Sequence, residues 1–296
     1  FKREGSYFVN ASSKVFLFSQ ERLSAENAKI EIYFDADTVS HPGLTMNYII
    51  KDDRLSLIRT ESGVGKTPFF NTFHEVDMYF EELIWKRDEP MIQLKALTGS
   101  SNTVADFQSS DFYTLGKYER LQGMSTVHPL VLINRYVKAN GNEFYVTDLA
   151  RFLKVTADQV RPLIAQLSSM GFLSYDAGGD HVVVKKRLRQ YVTNRAGKTD
   201  YDVIRFHSEI KQKPNATINL LNYDMTVRGV RVIELSDSQQ VFILPQNEEI
   251  LLKKNRDFEF SGIIGAGKFE FFGKEFQLAT RIRKKSSKAQ ESFYGR

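Results

Sequence analysis

The sequence predicts a mainly β protein that carries a small α+β insert. Short runs rich in β-branched and aromatic residues, separated by polar turns, fill residues 1–125 and 196–280. Between them, residues 126–195 have a helical periodicity that ends in a hairpin signal. Hydrophobic residues make up 42% of the 296, which is enough to bury a sizeable core. No apolar run approaches the ~18 residues that a membrane helix needs, so the sequence predicts no membrane span.

Residues 1–125 form the first strand-rich region. Its clearest predicted strands are Lys14–Gln20, Ala28–Phe34, Leu44–Ile50 and Arg54–Thr60. The stretch Phe73–Lys86 is ambiguous, because its apolar positions fit a helical period while its aromatic content suits strands. We favour strands there.

Residues 126–195 carry start and stop signals for helices. One helix is expected to end at Gly141, since glycine is a common residue just past a helix end. Another is expected to begin after Thr156, which has capping-box spacing to Gln159, and to stop at Gly171. The run Ala177-Gly178-Gly179-Asp180 then predicts a hairpin turn between two strands.

Three helices followed by a hairpin resemble a winged helix-turn-helix over about 65 residues. The positions that carry this resemblance are Ala150, Val155, Val160, Leu163 or Ile164, Leu167, Gly171, Phe172 and Leu173. In DNA-binding members the third helix enters the major groove. Under that alternative, the nucleic-acid-binding residues here are Gln159, Arg161, Gln166, Lys185, Lys186 and Arg187. Asp158 opposes Arg161 on the same helix, so we favour a module that packs or contacts protein.

Residues 196–280 return to strands with a regular spacing of ~8–12 residues, which is typical of an all-β sandwich, barrel or solenoid. We expect a stacked, β-solenoid-like array here, with a sandwich as the alternative. The apolar strand positions of this array are Val232, Ile243, Leu252, Phe258, Phe260, Phe269 and Phe271. The pattern leaves open which alternating set of residues faces inward, since a one-residue slip exchanges the two faces of a strand.

The net charge of +5 belongs to one end of the chain. Residues 281–296 contain six cationic residues and one acidic residue, so residues 1–280 sum to zero. We expect this basic tail to be disordered, because it has neither a helical nor a strand period. The absence of cysteine excludes disulfides, thiolate metal sites and cysteine nucleophiles.

The segment Thr60–Thr67, TESGVGKT, resembles a phosphate-binding P-loop in part. Gly65, Lys66 and Thr67 match the end of that motif. Thr60 stands where the first glycine belongs, and Pro68 follows where a helix should begin. Nucleotide hydrolysis is therefore the third candidate function, after a protein-binding scaffold and a nucleic-acid-binding regulator. The histidines lack metal-ligand spacing and no nucleophile motif is present, so we expect no enzyme, metal or cofactor.

A broader resemblance covers most of the chain. It is carried by the winged-helix-like insert and by the segments YDVIRFHSEI, NATINLLNYDM, GVRVIELSDSQQVFILP and LLKKNRDFEFSGIIGAGKFEFFGKEF. Together they resemble a segment of the very large, uncharacterised β-rich proteins of Bacteroidota-type bacteria. The resemblance implies a bacterial origin, a fragment of a longer protein and a place in the cell envelope or outside the cell.

The sequence thus predicts a non-enzymatic scaffold or protein-interaction protein. Its expected partner is another protein or the remainder of a longer chain. The alternative is a nucleic-acid-binding regulator that acts through the winged-helix-like module.

Overall fold

The computed structural model describes residues 1–60, 63–97, 99, 103–110, 115–122, 127–195, 204–236 and 240–279. The basic tail at 281–296 lies outside the described residues. The strands of the first region are β1 (Lys2–Arg3), β2 (Ser6–Tyr7), β3 (Val9–Ser12), β4 (Leu17–Phe18), β5 (Arg22–Phe34), β6 (Asp37–Ile49), β7 (Arg54–Ile58), β8 (Phe69–Asn71), β9 (Val76–Tyr79), β10 (Glu82–Lys86), β11 (Met91–Lys95) and β12 (Val104–Ser109).

The remaining elements follow in two groups. The middle of the chain contains α1 (Leu115–Gln122), α2 (Pro129–Asn140), β13 (Glu143–Tyr145), α3 (Val146–Leu153), α4 (Ala157–Ser169), β14 (Leu173–Asp176), β15 (His181–Val184) and α5 (Lys186–Arg195). The last region contains β16 (Arg205–Glu209), β17 (Ala216–Asn219), β18 (Met225–Arg228), β19 (Ile233–Ser236), β20 (Val241–Pro245), β21 (Glu249–Leu252), β22 (Phe258–Ala266) and β23 (Phe269–Leu278). Short 3-10 turns cover Gly63–Lys66, Gln246–Glu248 and Lys254–Arg256.

The long strands form because their apolar side chains alternate. In β5, Ala28, Ile30, Ile32 and Phe34 are buried, and the residues between them are more exposed. A buried and a solvated face are expected for an antiparallel sheet that covers a core on one side. The ambiguous stretch Phe73–Lys86 forms strands β9 and β10, as expected.

Antiparallel pairing joins both strand-rich regions into one large sheet. From β6, one path of pairs runs through β8, β9 and β12 to β16. The other runs through β7, β10, β11, β17, β18 and β21 to β22, and then through β20 to β19. A bridge between Ser208 and Val230 connects the two ends, so the sheet is nearly closed around its core.

The mainly β class is therefore confirmed, whereas the stacked solenoid over 196–280 is not. The described strands of that region pair antiparallel with each other and with β11 and β12 of the first region. Two separate arrays were expected, but one sheet shares one apolar core. Among the expected apolar positions, Ile243, Leu252, Phe258 and Phe260 are buried, and Val232, Phe269 and Phe271 are exposed.

The middle of the chain folds as a helical module with a core of its own. Its strands form a three-stranded sheet in the order β13, β15, β14. The Gln159 side chain accepts a hydrogen bond from the Thr156 backbone N–H at 3.0 Å, and Gly171 has a φ of +78°. Both stop and start signals of α4 are thus confirmed, and α2 ends before Gly141 as expected.

In the described part of residues 115–195, three elements were not predicted: α1, β13 and α5. Helix α5 begins at Lys186, within the cationic run Lys185-Lys186-Arg187 of the nucleic-acid alternative. No helix in the described part of the chain is long and apolar enough to cross a membrane.

Candidate functional site

A buried arginine fastens the helical module to the sheet. Arg187 lies in the first turn of α5 and is only 2% exposed. Its Nη1 lies 2.9 Å from Oδ2 of Asp77 in β9, and its Nη2 donates to the Ser109 carbonyl at 2.7 Å. Nη1 also donates to the Met170 carbonyl at 3.2 Å, so one guanidinium connects both parts of the molecule. Gly171 lies beside this ion pair, and a Cβ there would be only 2.7 Å from Asp77 Oδ2. A residue with a side chain would therefore clash at this position.

The groups of this cluster shift the pKa values of Arg187 and Tyr79. Burial opposes the charge of Arg187, but Asp77 and Tyr79 favour it, and the net effect raises the pKa of Arg187. Burial raises the pKa of Tyr79 to about 12, with a further contribution from Asp77 that Arg187 partly offsets. Arg187 therefore stays charged and Tyr79 stays neutral near neutral pH, which suits a structural connection between the module and the sheet.

A second buried arginine extends the cluster toward the last region of the chain. Arg256 Nη2 lies 3.3 Å from a carboxylate oxygen of Glu75. Its Nη1 donates to the hydroxyl of Ser109, the residue whose carbonyl accepts from Arg187. Buried cations of this kind require partners, because an unpaired charge in the interior is costly.

The P-loop-like segment also lies at the contact between the helical module and the sheet, which we call the junction. The side chain of Val64 packs in the core of the helical module, and Thr67 Oγ1 lies 2.8 Å from Ser168 Oγ in α4. His41 Nε2 donates to the Thr67 carbonyl at 2.8 Å, and burial lowers the pKa of His41 to about 3. The hydroxyl that a P-loop would offer to magnesium is thus buried against α4.

The surroundings of Gly65, Lys66 and Thr67 differ from a phosphate cradle in two further ways. Strand β8 begins at Phe69, where a P-loop would continue into a helix. The side chain of Thr60 fills the space beside Gly65, where a Cβ would clash with it, whereas Lys66 is exposed.

We expect neither ATP nor GTP to bind in the presence of magnesium. The Lys66→Ala variant should unfold at the same temperature as the parent chain, since the side chain is exposed. Isothermal titration calorimetry checks the first expectation and thermal unfolding the second. Magnesium-dependent nucleotide binding that is lost in Lys66→Ala would contradict this interpretation.

Most residues of the nucleic-acid alternative are engaged within the protein. Arg161 donates through Nε and Nη2 to the Asp180 carboxylate, at 3.1 and 2.5 Å, and also pairs with Asp158. Hydrogen bonding from Arg161 lowers the pKa of Asp180. Gln159 caps α4. These two residues therefore face partners on the module itself.

The other four candidates are scattered. Lys185 places its Nζ 4.3 Å from the centre of the Phe70 ring, and Arg187 is buried in the junction. Gln166 and Lys186 are exposed. The structure therefore brings no continuous basic face together from the six, among the residues it describes.

A cleft of about 1160 Å³ opens between the sheet and the module. Its charged and amide side chains include Lys14, Arg22 and Asn27 from the sheet and Asp158, Arg161 and Asp176 from the module. Both signs of charge are present, and within the described residues no group of three or more His, Asp or Glu side chains could hold a metal ion. Sequence reasoning missed this cleft because its two walls are far apart in the chain.

Three exposed aromatic rings lie on the hairpin β22–β23. Phe269, Phe271 and Phe272 are 70%, 55% and 71% exposed. Phe271 is opposite Ile264, which is opposite the buried Ile243, so Phe271 lies on the core side of the sheet. Phe269 shares this face, and both rings project beyond the covered core, which is why these two expected apolar positions are exposed. Phe272 is opposite Ile263 and lies on the other face.

The chain matches no family model, no curated protein and no solved structure.

Proposed function

We propose that the chain is a non-enzymatic scaffold that binds another protein through the hairpin β22–β23. The observation that carries this proposal is the group of exposed rings Phe269, Phe271 and Phe272 on one strand. Phe269 and Phe271 lie on one face of β23 and Phe272 lies on the other, so both faces of the hairpin expose large apolar side chains. Such side chains are costly to leave in water, and exposed apolar surface of this kind marks protein-binding sites. Aromatic residues are also the side chains that contribute most to binding at protein interfaces.

The helical module has a supporting role in this proposal. Its order of helix, strand, two helices and two strands favours the winged-helix interpretation. Arg187 and Arg161, its central cations, are both paired with carboxylates. Nucleic-acid binding consequently has less support than a module that packs on the sheet and stiffens the scaffold.

A photo-crosslinking experiment tests the proposal. p-Benzoylphenylalanine is placed at Phe272 in the full chain, and the protein is irradiated in an extract of its native host. We expect crosslinks to protein that excess parent chain competes away. The matched control carries the same group at Phe18, which is 78% exposed but lies on β4. Equal crosslinking from both positions, or none from Phe272, would remove the basis of the proposal.

A further inference from the structure

Strand β23 is an open edge of the sheet. It pairs with β22 along one side, and along the other side no described strand pairs with it. The strand has ten residues and no proline, so its outward backbone groups are available to another strand. The same strand carries the three exposed rings.

The turn of the hairpin defines which backbone groups face outward. A two-residue turn, Gly267-Lys268, joins Ala266 to Phe269, and Gly267 has a φ of +59°. Residues that flank a two-residue turn form a hydrogen-bonded pair, and such pairs alternate with non-hydrogen-bonded ones. Counting from Phe269, the N–H and C=O groups of Glu270 and Phe272 point to the open edge.

We propose that β23 pairs antiparallel with β23 of a second copy of this chain, about a two-fold axis at Phe272. The inference rests on the proposed function and names its partner. In this register Phe272 lies opposite its own equivalent, and Glu270 lies opposite Lys274 of the other copy. The three positions alternate along the strand, so they share one face of the joined sheet. Each interface then contains one aromatic pair and two pairs of opposite charge.

Other registers lose these contacts. A slide of two residues places Phe272 opposite Glu270 or Lys274 of the other copy. A slide of four places Glu270 opposite Glu270, or Lys274 opposite Lys274, which is repulsive. The order of charges along β23 is therefore complementary to itself in an antiparallel pair. A second copy of this chain supplies the matching charges.

The opposite face of the joined sheet is also filled in this register. Phe271 of one copy lies opposite Gly273 of the other. The ring of Phe276 already covers Gly273, since a Cβ there would clash with it. The two copies thereby bring Phe271 and Phe276 side by side, which adds an aromatic contact on the core side.

Charge-swap variants of the full purified chain test the proposal by sedimentation velocity over a range of concentrations. We expect the parent chain to form a dimer. Glu270→Lys and Lys274→Glu should each weaken the dimer by about tenfold, because two attractive pairs become repulsive. The double variant Glu270→Lys with Lys274→Glu restores opposite charges and should restore dimerisation.

Lys268→Glu is the matched control. It changes the net charge as Lys274→Glu does, but it lies in the turn outside β23, and this register places it level with the uncharged Phe276 of the other copy. Circular dichroism of each variant establishes that the sheet is retained, and all the substituted side chains are exposed.

The outcomes separate this inference from the proposed function. A monomer at every concentration, or a dimer that the single swaps do not weaken, would overturn the self-pairing. If Phe272 nevertheless crosslinks to a different protein in the extract, the proposed function stands with another partner. If it crosslinks to nothing, the proposed function fails as well.

Discussion

Replacing Phe258 by alanine should destabilise the protein by about 3–5 kcal/mol, the usual cost of emptying a buried phenylalanine site. Phe258 is 1% exposed and lies where β22 pairs with both β21 and β23. Its ring meets the Phe206 ring edge-on, with centroids 5.2 Å apart. Since β16, β21 and β23 all lose a packing partner, the cavity cannot close by a local shift. Urea unfolding followed by circular dichroism measures the change in the free energy of unfolding.

Phe18→Ala is the matched control for that substitution. The same ring is removed from a position that is 78% exposed, so the expected change is within about 0.5 kcal/mol. Similar losses for the two variants would mean that the core does not lie where the pairing of β22 places it.

The parts of the fold that sequence reasoning could predict are those with a local cause. The helix start at Thr156, the stop at Gly171 and the alternation in β5 each depend on neighbouring residues, and the structure confirms them. The pairing of β11 with β17 joins segments about 125 residues apart, and that of β12 with β16 joins segments about 100 residues apart. Strand spacing is similar in a solenoid and in a sheet, so it could not distinguish them.

The sequence indicated only part of the junction between the helical module and the sheet. Arg187 stands in a cationic run, Lys185-Lys186-Arg187, which is typical of a solvated surface and, from sequence alone, fits the nucleic-acid alternative. Its burial follows from Asp77, a residue 110 positions earlier. One local signal was present, because Asp77 interrupts the apolar residues Val76 and Met78. A carboxylate inside a strand that is otherwise apolar requires a buried partner.

Replacing Asp77 by alanine should destabilise the protein by about 3–5 kcal/mol, because it leaves the Arg187 guanidinium charged and buried without its carboxylate. The other hydrogen-bond partners of Arg187 include the backbone carbonyls of Ser109, Ser110 and Met170 and the side chain of Tyr79, none of which carries a net charge. We expect the helical module to detach from the sheet before the sheet unfolds. Hydrogen exchange resolved by segment, together with urea unfolding, measures both effects.

Two further variants separate the buried charge from the loss of contacts. Asp158→Ala removes a carboxylate from an exposed pair with Arg161; its side chain is 87% exposed, so the expected loss is below about 1 kcal/mol. Asp77→Leu combined with Arg187→Met replaces the buried pair by apolar side chains and should regain most of the stability lost in Asp77→Ala, since no uncompensated charge remains. If the double variant is as unstable as Asp77→Ala, the pair is needed for its shape and its hydrogen bonds. If Asp77→Ala is as stable as Asp158→Ala, the junction does not depend on Arg187, and the module is attached to the sheet by the contacts of Val64 and Thr67 instead.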